Sequence, residues 1–430
     1  MTDAFPRSRG IRATLQSVLQ HPIVLWVAFV AAHFVLGLLG LFGPGWPLGD
    51  VSQTYRFWVT TGLDSGIWVG IDTVWVYPIV ALVPMLAAHL FGPDQFTPTW
   101  LTEVMIVDAV AFLVIVSFHR DRRLTTVGWW WLGFLLLLGP VAVGRVDSIT
   151  VPVAIVGVLL LAARPALAAV LLSVATWIKV WPAALIAAAI VTMRERWRVL
   201  AGAAAASIVI AVVALLLGAG GNLFSFIGQQ AGRGLQVESP IGTFWMWDAW
   251  ATQSSRSIVY YDQAILTYQV VGPGAVTAAA IVTPVLAVVT AALLVLGFVA
   301  MRRGVPAAEL LPPLTLAITT ALILFNKVGS PQFVTWLAVP IVLGLTASVT
   351  GHGASFRVPA ILGLVIAGLT QLIYPYLYDQ LIGLNFTMLL ILSARNVLYV
   401  ALLLWAIVAV VDAVRFEPEV TPRRQSVAAT

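Results

Sequence analysis

Residues 165–193 read PALAAVLLSVATWIKVWPAALIAAAIVTM, a run of 29 residues with a single charge, Lys179, bounded by Arg164 and Arg194. A helix needs about 20 apolar residues to cross a hydrocarbon core, so the run is too long for one span and too short for two. Lys179 stands at its middle, and Pro182 opens its second half. That pattern predicts a bent hairpin or a broken pair of short helices, Pro165 to Ile178 and Val180 to Met193, with the bend at Trp177-Ile178-Lys179-Val180-Trp181-Pro182. A lone cation in such surroundings costs a few kcal/mol (~3) unless it has a use.

The rest of the chain is of the same kind. Of 430 residues, 60% are hydrophobic and 10% charged, and the mean hydropathy is +0.99, values a water-soluble globule does not reach. Further apolar stretches run from Pro22 to Phe42, Thr73 to Phe91, Leu101 to Phe118, Leu124 to Val141, Ile149 to Ala163, Val199 to Gly218, Ala275 to Ala300, Val305 to Phe325, Phe333 to Val349, Val358 to Tyr374 and Met388 to Val411. The expected fold is an all-α polytopic membrane protein, with residues 1–415 as one transmembrane domain and 416–430 as a disordered cytoplasmic tail.

Arginine sets the expected orientation. The clusters Arg7/Arg9/Arg12, Arg120/Arg122/Arg123, Arg194/Arg196/Arg198, Arg302/Arg303 and Arg423/Arg424 are expected in the cytoplasm. Three apolar stretches separate Arg12 from Arg120, so one of them fails to cross, which leaves about twelve crossings. The polar and aromatic-rich connections then fall on the outer side of the cell membrane. Asp50 to Leu63 has near-helical spacing of Val51, Tyr55, Trp58, Val59 and Leu63 and is expected to lie as an interfacial helix in the first outer loop. A net charge of +5 carried by topology signals gives no reason to expect nucleic acid. The absence of Cys excludes thiol chemistry and thiolate metal sites.

Ions expected at the outer boundary are few: Asp50, Arg145, Asp147, Lys179, Arg233, Glu238, Lys327 and Arg395. Both lysines of the protein are among them. A chain that otherwise uses arginine and keeps lysine twice suggests compact charges meeting an anion such as phosphate, although Lys179 also has a reading as a snorkelling topology signal. Asp50 suits a general base toward a hydroxyl, or the cap of the helix that follows. Arg145 and Asp147 either pair with each other or act directly. Gln236 and Glu238, ahead of Trp245, Trp247 and Trp250, suit sugar hydroxyls, or belong to an ordinary outer loop with an aromatic belt. Asp108 is deep enough to need a partner, which the sequence does not name.

Five motifs occur together in one order: Gly49-Asp50, Gly144-Arg145-Val146-Asp147, Lys179-Val180-Trp181-Pro182, Arg233-Gly234-Leu235-Gln236-Val237-Glu238-Ser239, and Asn326-Lys327-Val328-Gly329-Ser330-Pro331-Gln332 followed by Trp336. Together they resemble glycosyltransferase family 87, polyprenyl phosphate mannose dependent mannosyltransferases of the GT-C fold that include enzymes of actinobacterial phosphatidylinositol mannoside and lipoglycan synthesis. Members that make phosphatidylinositol mannosides look to have a His soon after the Trp of the last motif, and this chain has none there.

The resemblance implies that Asp50 is the catalytic base and that Lys179, Lys327, Arg145, Arg233 and Arg395 hold a donor phosphate. It leaves Gln236, Glu238, Asp147 and Gln332 to the sugar or acceptor. The partners implied are a polyprenyl phosphate sugar, a glycolipid or glycan acceptor and membrane lipids. Neither a metal nor another cofactor is expected, since Lys and Arg can neutralise one phosphodiester. Arabinofuranose or glucose in place of mannose, and a lipid-linked sugar flippase, are the alternatives.

Overall fold

The computed structural model describes residues 18–117 and 121–415. Arg7, Arg9, Arg12, Arg120, Arg423, Arg424 and the 416–430 tail lie outside the described residues. Among the described residues, nine helices are long and apolar enough to cross a membrane: Pro22–Phe42, Pro93–Ser117, Thr125–Ala142, Arg196–Leu216, Ala275–Arg302, Ala307–Leu324, Pro331–Val349, Arg357–Tyr376 and Phe386–Arg415. The molecule is a polytopic helical membrane protein. The helix satisfies every backbone N–H and C=O within the segment, which hydrocarbon requires.

Four shorter apolar helices complete the bundle: Ile79–Ala88, Asp147–Leu160, Pro165–Ile178 and Ala183–Thr192. The first arises from the stretch Thr73 to Phe91 and, at ten residues, is only ~15 Å long, half a hydrocarbon core. It is the too-short member of the three apolar stretches that precede Arg120. The expected break falls at Lys179, whose extended backbone (φ −150, ψ 132) ends one helix before Pro182 leads into the next.

Burial sorts centre from rim. In Ala307–Leu324 and Pro331–Val349, 72% of the residues of the most apolar 18-residue stretch are buried, against 17% in Ala275–Arg302, which offers its apolar side chains to lipid. Small residues allow close helix contacts where lipid gives no hydrophobic drive. A Cβ at Gly202 would come within 2.4 Å of the Ala166 carbonyl oxygen, so any side chain there would part the two helices. Asp108 finds its partner in mid-span, where His33 Nε2 lies 2.9 Å from Oδ2 with both side chains buried.

The connection from Gly220 to Gly274 is not all helix. It folds into short helices, Ser225–Ala231 and Thr243–Ala251, and a three-stranded antiparallel sheet of β1 (Leu235–Gln236), β2 (Ile258–Asp262) and β3 (Thr267–Val271) in the order β1-β3-β2. The all-α expectation holds for the membrane bundle, and this small sheet is an addition to it. The segments IVYYD and TYQVV, rich in β-branched and aromatic residues around a short turn, form a hairpin that overhangs the bundle end. The loop after the first long helix also forms its expected helix, a π-helical turn Asp50–Tyr55 continuing as Arg56–Ser65.

Helix direction separates two ends. Trp129 Nε1 donates to Leu19 O and Trp130 Nε1 to Ala360 O, so three helices start together, and Arg196 meets Met301 Sδ at 3.6 Å at that same end. Following the alternating helices places Arg123, Arg164, Arg194, Arg198, Arg302, Arg303 and Arg415 there too. The motif residues gather at the opposite end.

Candidate functional site

At that opposite end a cavity of about 420 Å³ opens beneath the hairpin, lined by Asp50, Arg145, Arg233, Gln236, Glu238 and Gln332 together with aromatic side chains. Asp50 opens the π-helical turn, and Gly49, not Asp50, holds the cap position without any side-chain cap bond. The Asp50 carboxylate turns to Arg145 instead, Oδ2 lying 3.1 Å from Nε, and its side chain stays 40% exposed.

Arg145 is fixed from several directions. Nη1 donates to Pro47 O at 2.7 Å and to Gly144 O at 2.8 Å, and Nη2 donates to the Tyr374 hydroxyl at 3.1 Å. Burial opposes its charge, but Asp50 and the hydroxyls of Tyr374 and Tyr55 outweigh that and hold it above the ordinary guanidinium range. The expected alternative of an Arg145–Asp147 pair is not what forms. Residues two apart at a helix start point to different sides, and Asp147 turns inward to lie fully buried.

There Asp147 accepts from Lys179 Nζ at 3.1 Å and from Trp336 Nε1 at 2.6 Å. Trp181 stacks on Trp336 with centroids 5.4 Å apart, and Lys179 Nζ lies 5.0 Å from the Tyr77 ring centroid and 5.6 Å from that of Phe333. The break in the helix pair therefore has a carboxylate beneath its cation and aromatic rings beside it. Asp147 and Lys179 form the cavity's support and do not line it; only Tyr77 of this group does.

Glu238 follows β1 and is 4% exposed. Its carbonyl accepts from Arg395 Nη2 at 2.5 Å, while carboxyl Oε1 has no hydrogen-bond partner among the described residues. Burial pushes the Glu238 carboxyl up to about 7 against the opposing pull of Arg395 and Arg145. Arg395 is buried behind this strand, held by Asn396 Oδ1, and does not line the cavity.

The loop Asn326–Gln332 docks on β1. Gln236 N donates to Lys327 O at 3.0 Å, Gln236 Oε1 accepts from Gly329 N at 2.9 Å, and Gln236 Nε2 donates to Thr267 Oγ1 at 3.1 Å. The Gln236 amide is thus used at both ends to clamp loop to sheet. Lys327 is brought near Arg233, and burial followed by that neighbour's charge lowers it from the usual lysine range. Arg233 lines the cavity, and its buried Nε has no hydrogen-bond partner among the described residues.

The sequence reading missed the tyrosines. Tyr55, Tyr77, Tyr261, Tyr268, Tyr374 and Tyr378 line this one cavity, six of the nine in the chain. They are scattered over five segments and each looks like an interface aromatic on its own; only the concentration of the total count between the long apolar stretches hints at a shared place. On the other side of the 75–80 segment lies an apolar groove of about 730 Å³ between Trp68, Ile79, Val83 and Leu86 on one wall and Val209 and Val213 on the other. No family model matches the chain, and no curated protein or solved structure does so either.

Proposed function

We propose that the protein transfers a sugar, mannose in first place, from a polyprenyl phosphate carrier to a glycolipid or glycan acceptor at the outer face of the cell membrane. The observation that carries this reading is the cavity itself. Paired acids and cations, six phenol rings and a buried free carboxyl oxygen suit a polyhydroxylated, anionic ligand, and an apolar groove beside it suits a lipid tail. The motif order resembling glycosyltransferase family 87 supports a GT-C arrangement.

In this reading nine long helices and three of the short ones, Asp147–Leu160, Pro165–Ile178 and Ala183–Thr192, make twelve crossings; Ala183–Thr192 is as short as Ile79–Ala88, but it carries the chain from the Lys179 end back to the Arg196 end. The arginine-bearing end is cytoplasmic by the positive-inside bias, and the cavity is outside. Asp50 takes the proton of an acceptor hydroxyl; its oxygen bonds to the anomeric carbon; the bond from that carbon to the phosphate oxygen breaks, and its electron pair leaves with polyprenyl phosphate from the opposite face. Arg233 and Lys327, with Arg145 and Lys179 nearby, stabilise the charge that grows on the phosphate. Arg395 acts from behind by holding the Glu238 strand.

The test is to incubate purified protein with labelled polyprenyl phosphate mannose, glucose and arabinofuranose and a membrane lipid extract. Transfer from one of them, with inversion at the anomeric carbon, is expected. Movement of intact donor across vesicle bilayers without any transfer would instead make the protein a flippase.

A further inference from the structure

Among the described residues, Glu238 is the one carboxyl group on the cavity wall with a buried oxygen, Oε1, that has no hydrogen-bond partner. Asp50 has Arg145 at 3.1 Å, whereas Glu238 Oε1 is buried without a hydrogen-bond partner. A buried carboxyl oxygen left without a partner is destabilising, more so if ionised, so its retention on a cavity wall calls for a ligand group there.

Building on the transferase reading above, we propose that Glu238 recognises the transferred sugar, acting as a neutral carboxylic acid that donates its proton in a hydrogen bond to a sugar hydroxyl oxygen. The surroundings favour the neutral form. Arg395 and Tyr399 face Glu238 from the last helix, Arg145 from the turn before Asp147, and Tyr378 from the short helix Tyr378–Ile382. Phenols stay neutral near pH 7. Arg145 is already matched by Asp50, and Arg395 meets the carbonyl of Glu238 and the Asn396 amide, not the carboxyl. A neutral acid also avoids repelling the donor phosphate that the proposed reaction would place in the same cavity. Since burial raises Glu238 to about 7, this contact is complete below neutrality and is lost as pH rises through that value.

The experiment measures binding to purified protein of short-chain prenyl phosphates carrying mannose, glucose or arabinofuranose, against sugar-free prenyl phosphate, at pH 6 and pH 8. Wild type is expected to prefer one sugar-bearing lipid by about tenfold at pH 6, the worth of one good hydrogen bond, and to lose most of that preference at pH 8. Glu238→Gln, which keeps an N–H donor and no charge, is expected to hold the preference at both pH values. Glu238→Ala is expected to lose it while still binding the sugar-free lipid, which also reports that it is folded. A preference that grows with pH, or a Gln variant that behaves like the Ala variant, would overturn the neutral-acid role and leave the transferase reading intact. Wild type that binds none of the four lipids would overturn the transferase reading, and this inference with it.

Discussion

At Asp50 a single substitution separates chemistry from structure. The carboxylate makes no cap bond, so Asp50→Asn removes its basicity and its charge beside Arg145, while Arg145 keeps its bonds to Pro47 O, Gly144 O and the Tyr374 hydroxyl. We predict a loss of transfer on the order of 100-fold with only a small drop in melting temperature and donor binding retained, checked by turnover and by thermal unfolding. An enzyme with most of its rate left would shift the base elsewhere in the cavity. Lys179 gives a second prediction. Its ammonium fits between Asp147, Tyr77 and Phe333, and a planar guanidinium has a different shape and reach, so Lys179→Arg should restore only part of the donor affinity that Lys179→Ala loses. Equal, wild-type donor saturation in both variants would reduce Lys179 to a topology signal. Single residues were the most legible part of the sequence, because any ion in so apolar a chain stands out. Their partners were not, since Asp50 with Arg145 and His33 with Asp108 are joined only by packing of distant segments.

Among the elements, the broken pair around Lys179 depends on the start of Asp147–Leu160 and on the segment Pro331–Leu337, which supplies Trp336. Removing one member of a buried ion pair strands the other, typically at about 3–5 kcal/mol, while replacing both with apolar residues recovers much of it. Asp147→Ala is therefore predicted to lower the melting temperature in detergent more than the Asp147→Ala/Lys179→Met double variant does. Additive losses in the two single variants would mean that the pair is not coupled. The break itself was legible from one Lys and one Pro inside an apolar run. The hairpin of β2 and β3 was not read, although its alternating Val, Tyr and Thr carry the usual strand pattern, because hydropathy over a long window averages ten strand residues into a polar loop. That one apolar stretch before residue 119 should fall short of a full span was inferred from charge without naming it, because Thr73 to Phe91 is apolar enough to span and its irregular start, up to Pro78, shortens the helix.

For the whole molecule, orientation can be measured directly, since the native chain has no Cys. Gln263→Cys, at the exposed hairpin tip, should react with an impermeant maleimide from outside intact cells, and Arg303→Cys, exposed at the other end, only after the membrane is opened. The reverse pattern would turn the cavity to the cytoplasm and sink the proposed donor geometry. Helix number and the two-ended sorting of charge were readable in advance from apolar length and arginine; the shape of the cavity was not, because it is assembled from segments 50–77, 145, 229–268, 330–332 and 374–378. One contact inside it bears on how the protein would answer an inhibitor. A Cβ at Gly329 would sit 2.1 Å from Ser239 N and 2.3 Å from Glu238 C, so the seam between loop and strand admits no side chain. A compound seated against that seam would face a wall the protein cannot redraw at position 329, and escape variants under selection should arise at Ile265 or Leu266, where the hairpin tip has room to change.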